Sequence, residues 1–536
     1  MAVRHARIVM LAAASLLAGS CSGNDTQQTV EASTTTVKAA STSGGDPAAK
    51  PGGDLVVGVE ASPENIDPLA GTGGSSVSAA ALAMTALYNS IGTRDGDGKL
   101  VPELAESWTS SADFATWTVM LRPEATFSDG TPVDAAAIVA NYTVRADESM
   151  CQCAPVFAGI HAAATDDATV TFTLDTPNAR FPDQRFFDAI MAPSTLTAGT
   201  DRERAPVGSG PFLLTDRDRL EFTKNASYWK KDSEGRQLPY LDSFRVSPIQ
   251  DPKVRLTALQ KGELDVMESF DGPTLNEAKG DKKLNVQVSA GDTIVIIGNQ
   301  SRPAISDPDV REALALAVDR DALAASYLPD AFAPTYSFVA ADSPFKIETE
   351  FPRYDAAAAK KLVEKVKARG DDEHLKVRIV CAKLPEAEAL LAVAVNQLKD
   401  VGIQAELSML DVGEYAAQVL AGGGEWDLAC TRLAAIRSDP AGLGEFLIGG
   451  RPGNVAKYAS PEVDRLFAED QTESDQTKRE DTFEKIVAAL VKDLPYVPLL
   501  TANNGLINGP KAHNVIGIDL GWPTKPAIEV MWASGD

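Results

Sequence analysis

Nowhere in these 536 residues does an apolar run last long enough to cross a bilayer as a helix, which takes roughly 20 residues. The run from Ile8 to Leu17 falls well short, and later ones are brief and broken by charge. Basic charge is scarce as well. Fifty Lys and Arg stand against 75 Asp and Glu, for a formal net charge of -25, and a chain with so little positive charge has no face to offer a nucleic-acid duplex. Only four histidines occur (His5, His161, His374, His513), scattered along the chain, and Cys151 and Cys153 are too close together for a C-x-x-C zinc half-site. No metal or other cofactor is expected. Catalytic motifs are missing too: there is no H-E-x-x-H, no G-x-x-x-x-G-K-S/T and no G-x-S-x-G. Gly208-Ser209-Gly210, in the context PVGSGPF, lacks the second glycine of a nucleophile elbow and reads as a turn whose glycines supply unusual backbone angles. The many carboxylates read as a solvated acidic surface, so the chain is not expected to be an enzyme.

What is present begins with an export signal. Arg4, His5 and Arg7 precede the apolar run, and Ala18-Gly19-Ser20 leads into Cys21. These small residues before a cysteine resemble the bacterial lipobox, although Ala18 stands where leucine is usual. Residues 1–20 are therefore expected as a signal peptide, with Cys21 acylated and anchored to the membrane of the cell, facing the periplasm or cell-wall space. Residues 21–53 contain no aromatic and almost no large aliphatic side chain, the composition of a tether. Removing the signal leaves 48 basic against 75 acidic side chains, a net charge near -27 suited to solubility outside the cell.

The remainder is long enough for two domains. Its first half is rich in strands: DLVVGVE (54–60), TWTVMLR (116–122), ATVTFTLD (168–175) and TIVIIGN (293–299), with a hairpin turn at RDGDGKL. The pattern changes at Ser306. Asp307-Pro308 and Tyr354-Asp355 start helices, and then LKVRIVCA (375–382), a helix over 386–400, QAELSML (404–410), a helix near 414–420 and WDLACT (426–431) alternate. This β-α-β-α-β order implies parallel strands, and such sheets place ligands beyond their carboxyl ends. The loop RLAAIRSDP after Thr431 is a candidate site on that ground alone. Ser460-Pro461 opens a further helix, and LPYVPLLTANNGLINGP (494–510) returns to strand. A fold of two α/β lobes joined by two crossings, near Asn299 and Leu500, is expected: lobe I over 54–299, lobe II over 300–499, and a return to lobe I over 500–536.

The block PELAESWTSSADFATWTVMLRPEATFSDGTPVDAAAI (102–138), followed in order by APVGSGPFLL, KNASYW, ALQKGELDV and DVREALALAVDR, resembles the extracellular solute-binding proteins of family 5, which serve dipeptide, oligopeptide and nickel uptake. The resemblance runs from Asp54 onward. It implies a two-lobed periplasmic-binding-protein-like fold of type II, with an extra β-rich subdomain in the first lobe. It also implies reversible capture of a small-molecule or peptide ligand by a monomer that closes over it and delivers it to the membrane permease of an ABC transporter. An extracytoplasmic hydrolase would instead show turnover, and a surface scaffold or chaperone would show protein partners. Trp108, Trp117 and Trp229 are expected in the core of the first lobe. By the family's contact regions, the ligand-binding candidates are Glu60, Ser62, Tyr88, Arg432, Leu433, Ile436, Arg437, Thr501 and Asn503.

Two finer expectations follow. In peptide-binding members the loop after the last parallel strand carries a tryptophan and, three residues on, an aspartate for the ligand's α-amino group. Alignment on Asp439-Pro440 puts Leu433 and Ile436 there, and isoleucine accepts no hydrogen bond. A ligand not held by a free amino terminus is expected, with Arg432 and Arg437 suited to a carboxylate or phosphate. A one-residue shift would instead place Asp439 in the anchoring role, and a surface pair between Arg437 and Asp439 is the plainer alternative. Cys381 and Cys430 are expected as buried free thiols, because side chains on adjacent parallel strands rarely aim at each other well enough to bond. A bridge between Cys151 and Cys153 would be strained and is left open.

Overall fold

A computed structural model describes residues 37, 38 and 49–535, apart from 64, 71–76, 96–98, 152, 328–331, 340–342, 344, 346, 384, 434–438, 452 and 516–526. The export signal and Cys21 lie outside the described residues. The chain forms two compact units. One comprises the described residues up to Ser289 and those from Asn504 on; the other is Ala290–Asn503. The strands Asn285–Gly298 and Tyr496–Asn508 each run across that boundary, so the chain passes between the units twice.

Among its described residues the first unit has two larger sheets and two two-stranded ribbons, Gly92–Arg94 with Leu100–Pro102 and Ala512–His513 with Trp532–Ala533. In the main one, Asp54–Val59 lies between Ser243–Pro248 and Val266–Ser269, parallel to both, and Glu221–Lys224 and Phe212–Asp216 extend it antiparallel. Leu55, Val57 and Val59 are buried and Val56 is half-buried, as a strand covered on both faces requires. The second sheet is antiparallel, with Thr116–Leu121 between Ala105–Ser110 and Thr169–Leu174. Here burial alternates: Trp117, Val119 and Leu121 face the core while Met120 is exposed, and Val170, Phe172 and Leu174 match them from the next strand. Trp108 and Trp117 fill this core with Phe172, Phe181 and Phe186, as expected, whereas Trp229 is only half-buried and donates its indole N–H to Asn89 Oδ1 at 3.0 Å.

Part of the segment expected as a tether is placed. Val37–Lys38 pairs with Trp108 and Ser107, and the amide of Gly52 donates to the Tyr240 carbonyl at 2.7 Å. Composition governs side-chain burial, but any backbone can pair with the free edge of a sheet.

The helices obey their caps. Asp307 accepts from the Asp309 amide at 3.0 Å ahead of Pro308–Ala317, and Asp355 accepts from Ala358 at 2.9 Å ahead of Ala356–Ala368, which ends at Gly370 with φ +81°. Ser460 does the same for Pro461–Asp470. In the second unit Lys376–Ala382 lies between Gln404–Leu410 and Leu428–Leu433, parallel to both, and Leu428–Leu433 then pairs antiparallel with Asn285–Gly298.

Two expectations are corrected. Gly208 and Gly210 do not adopt left-handed angles; they permit close approach, since a Cβ on Gly208 would lie 2.1 Å from the Leu87 carbonyl oxygen and one on Gly210 would lie 2.4 Å from that of Ala86. Cys381 and Cys430 are bonded, not free. Ile379 pairs with Leu428 and Val380 with Ala429, so the next step in register sets the cysteines side by side with Cα atoms 5.0 Å apart, inside the range a disulfide spans. Cys151 and Cys153 are bonded as well.

Candidate functional site

In the first unit, parallel pairing of Val57 with Val266 brings the carboxyl ends of two strands together. Glu60 follows one and Glu268 ends the other. The Glu60 amide donates to Glu268 Oε1 at 2.8 Å; Glu60 and Ser62 are exposed, while Glu268 is buried. Arg255, buried on the helix Pro252–Gln260, donates from Nε to the Glu268 carbonyl at 3.2 Å and from Nη1 to that of Gln250 at 3.0 Å. Burial pulls the Arg255 guanidinium below its ordinary value, and the Glu268 carboxylate is the foremost of the charges opposing this. Glu268 was missed at the sequence level. The signal available was an acidic residue near the end of the short strand Val266–Ser269, legible only once that strand is known to pair with Asp54–Val59.

The chain after Ser62 is pinned by charge. Glu203 Oε1 accepts from the amides of Ile66 and Asp67 at 2.6 and 3.0 Å, and Arg217 Nε holds its other oxygen at 2.8 Å. Arg202 Nε meets both oxygens of Asp67, at 2.8 and 2.9 Å. Tyr88 packs into the core of this unit with 2% exposure, its ring against Gly208, and its hydroxyl has no hydrogen-bond partner among the described residues. Burial raises its pKa well above the ordinary tyrosine range, the Asp67 carboxylate adding to the effect.

In the second unit Leu433 is 8% exposed and belongs to the core, and Arg432 precedes it on the strand, opposite Ile294. Ile436 and Arg437 lie outside the described residues. Asp439 is not a surface residue. Its Oδ1 accepts from the Ala441 amide at 2.9 Å, capping the turn Pro440–Leu443, and from Arg479 Nη2 at 2.7 Å. Arg479, on the helix Gln476–Asp493, also meets Asp470 at 2.6 and 3.1 Å, and its guanidinium lies 5.0 and 5.7 Å from the rings of Phe345 and Phe483. Burial would lower the Arg479 pKa, but the Asp439 and Asp470 carboxylates more than reverse this and raise it. Thr501, half-buried, pairs with Ala333 on the strand that also carries Asn503.

Asp307, Asp371 and His374 present ligand atoms within 4.8 Å of one another. Arg369 already supplies positive charge there, bonded to Asp307 and 3.4 Å from Asp371, so an ion-pair cluster accounts for the arrangement. Among the described residues no helix is long and apolar enough to cross a membrane.

Two α/β units joined by two crossings, with parallel strands ending in polar loops, are the architecture of type II periplasmic binding proteins. Solved structures agree: the binding protein AgaA in complex with agropinic acid, from A. tumefaciens R10, superposes with a TM-score of 0.76 at 21% identity, covering 90% of this chain and 99% of its own. The oligopeptide-binding protein AppA of Bacillus subtilis, in complex with a nonapeptide, does so with a TM-score of 0.74 at 20% identity, covering 91% and 100%. The chain belongs to the bacterial extracellular solute-binding proteins, family 5, whose middle-region model matches residues 99–453. It is thus the solute-binding component of an ABC transporter. Among its relatives, the glutathione-binding protein GsiB of Escherichia coli K12 is 27% identical over 476 residues, covering 83% of this chain and 88% of that one.

Proposed function

We propose that this solute-binding protein captures a peptide-like or organic-acid ligand that is not held by a free α-amino group, performs no chemistry on it, and passes it as a monomer to the permease. The observation that carries this reading is the engagement of Asp439. With Ile436 at the aligned anchor position, Asp439 is the remaining carboxylate of the loop, and it is buried against Arg479. Turning Asp439 to an ammonium would take from the buried Arg479 one of its two carboxylate partners and leave Asp470 alone to balance it, which is unfavourable where neither charge can be resolvated. The residues proposed to line the site are Glu60, Ser62, Tyr88, Arg432, Leu433, Ile436, Arg437, Thr501 and Asn503, with Glu268 added from the geometry.

Native mass spectrometry of copurifying ligand, followed by calorimetry with glutathione, a peptide library and their N-acetylated counterparts, tests the reading. Acetylated ligands are expected to bind as tightly as free ones; tight binding that acetylation abolishes would sink it. Attachment through acylated Cys21 is part of the proposal, motivated by the small residues before it. Cys21→Ser is expected to move the protein from the membrane to the soluble fraction, and a wild-type protein found soluble would contradict the anchor.

A further inference from the structure

The two disulfides differ in what surrounds their sulfurs. Cys381 and Cys430 are 0% and 8% exposed, inside a core that includes Ile379, Leu391 and Leu428. That core shields them from an external thiolate more than the surroundings of the half-buried Cys153 do. The Cys151–Cys153 bridge lies just beyond the helix Ala135–Arg145, and its sulfurs are unequal. Cys151 is 2% exposed and packed into the core of the first unit, whereas Cys153 is only half-buried.

Thiol exchange requires a thiolate to bond to one sulfur and expel the other. Cys153 is the more exposed of the two residues, which favours attack at its sulfur and makes Cys151 Sγ the one expelled. The Cys153 backbone N–H points at Cys151 Sγ from 3.2 Å. A hydrogen-bond donor there stabilises the negative charge that develops on the departing sulfur. Attack at the accessible atom is therefore coupled to a prearranged acceptor of the electron pair.

We propose that Cys153 is a reversible S-thiolation site for small extracytoplasmic thiols, with Cys151 as its resolving thiol. A small thiol gives up its proton to solvent and its sulfur bonds to Cys153 Sγ. The Cys151–Cys153 bond breaks, its electron pair goes to Cys151 Sγ, and that thiolate takes a proton from solvent. The numbers of thiols and disulfides are unchanged, so no further oxidant or reductant is needed. In reverse, Cys151 attacks Cys153 Sγ and expels the small thiol.

The test treats the folded full-length protein with 2-mercaptoethanol, an uncharged small thiol, then quenches with acid and maps peptides without reduction. The expected product carries the adduct on Cys153 while Cys381–Cys430 stays closed. An adduct on Cys151, earlier opening of Cys381–Cys430, or an unaltered Cys151–Cys153 bridge at thiol concentrations that open an exposed disulfide would each overturn the proposal. In native-state labelling with N-ethylmaleimide, Cys153 in Cys151→Ser is expected to react at least about tenfold faster than Cys151 in Cys153→Ser, because the buried thiol must wait for local opening. Equal rates would overturn the assignment of roles. If either variant fails to fold, the same two rates are read on wild-type protein after the bridge is opened.

Discussion

Arg479 shows how a single side chain can decide the availability of a neighbouring site. It is 1% exposed and bonded to two carboxylates, so replacing it leaves Asp439 and Asp470 as buried like charges. Arg479→Met is expected to lose about 3–5 kcal/mol in urea unfolding at neutral pH. The paired carboxylates raise the Arg479 pKa in the folded protein, so its contribution is fully present below the ordinary arginine value and is lost only as the pH rises past it. The deficit of Arg479→Met is therefore expected to hold across about pH 6 to 9, and one that vanished within that range would show that the ion pair does not carry it. Little of this was legible in the sequence. Asp439 as a cap before Pro440 follows local rules, but its partner lies 40 residues away, and nothing in the spacing of Arg479 announces it. The same limit hid Glu268, whose place depends on which strands become neighbours; the Cys381–Cys430 bond was missed although the strands were expected side by side, because the aim of the two side chains was misjudged.

At the scale of elements the sequence was more readable, because caps and alternation are local. Asp307, Asp355 and Ser460 start helices where expected, and the antiparallel sheet shows the burial pattern its threonines and aromatics imply. The strand Asn285–Gly298 was read only from Thr293, since Gly291-Asp292 interrupts the β-branched pattern that marks a strand. PVGSGPF was placed correctly as an irregular segment, but for the wrong reason. Its glycines serve contact rather than curvature, which yields a contrast. Gly208→Ala sets a Cβ against the Leu87 carbonyl and 2.5 Å from Tyr88 Cδ1, and is expected to cost more than about 4 kcal/mol or prevent folding. Gly130→Ala, at φ +85° with nothing within 4 Å, carries only the conformational penalty of about 1 kcal/mol. Similar midpoints for the two variants in thermal unfolding would show that the close approach at Gly208 is relaxed at little cost.

For the whole molecule, the relevant fact is how the cores are divided. Every hydrophobic cluster among the described residues draws its members from one unit: the cluster that holds Val295 and Phe483 and the one that holds Cys381 from Ala290–Asn503, and those that hold Val57, Trp117, Leu256 and Tyr240 from the rest. Among the described residues two strands, Asn285–Gly298 and Tyr496–Asn508, carry the chain from one unit to the other, so each unit could keep its core intact if those strands bent. A solute with the higher affinity for a more closed conformer would shift the population towards it. Small-angle scattering on the wild-type protein, with a ligand first identified by calorimetry at saturating concentration, is expected to show a smaller radius of gyration than without it. The same envelope in both conditions would count against closure and leave capture to a single unit. In that case substitutions confined to one unit, at Glu60 and Glu268 or at Arg432 and Thr501, would abolish binding while the other set left it unchanged.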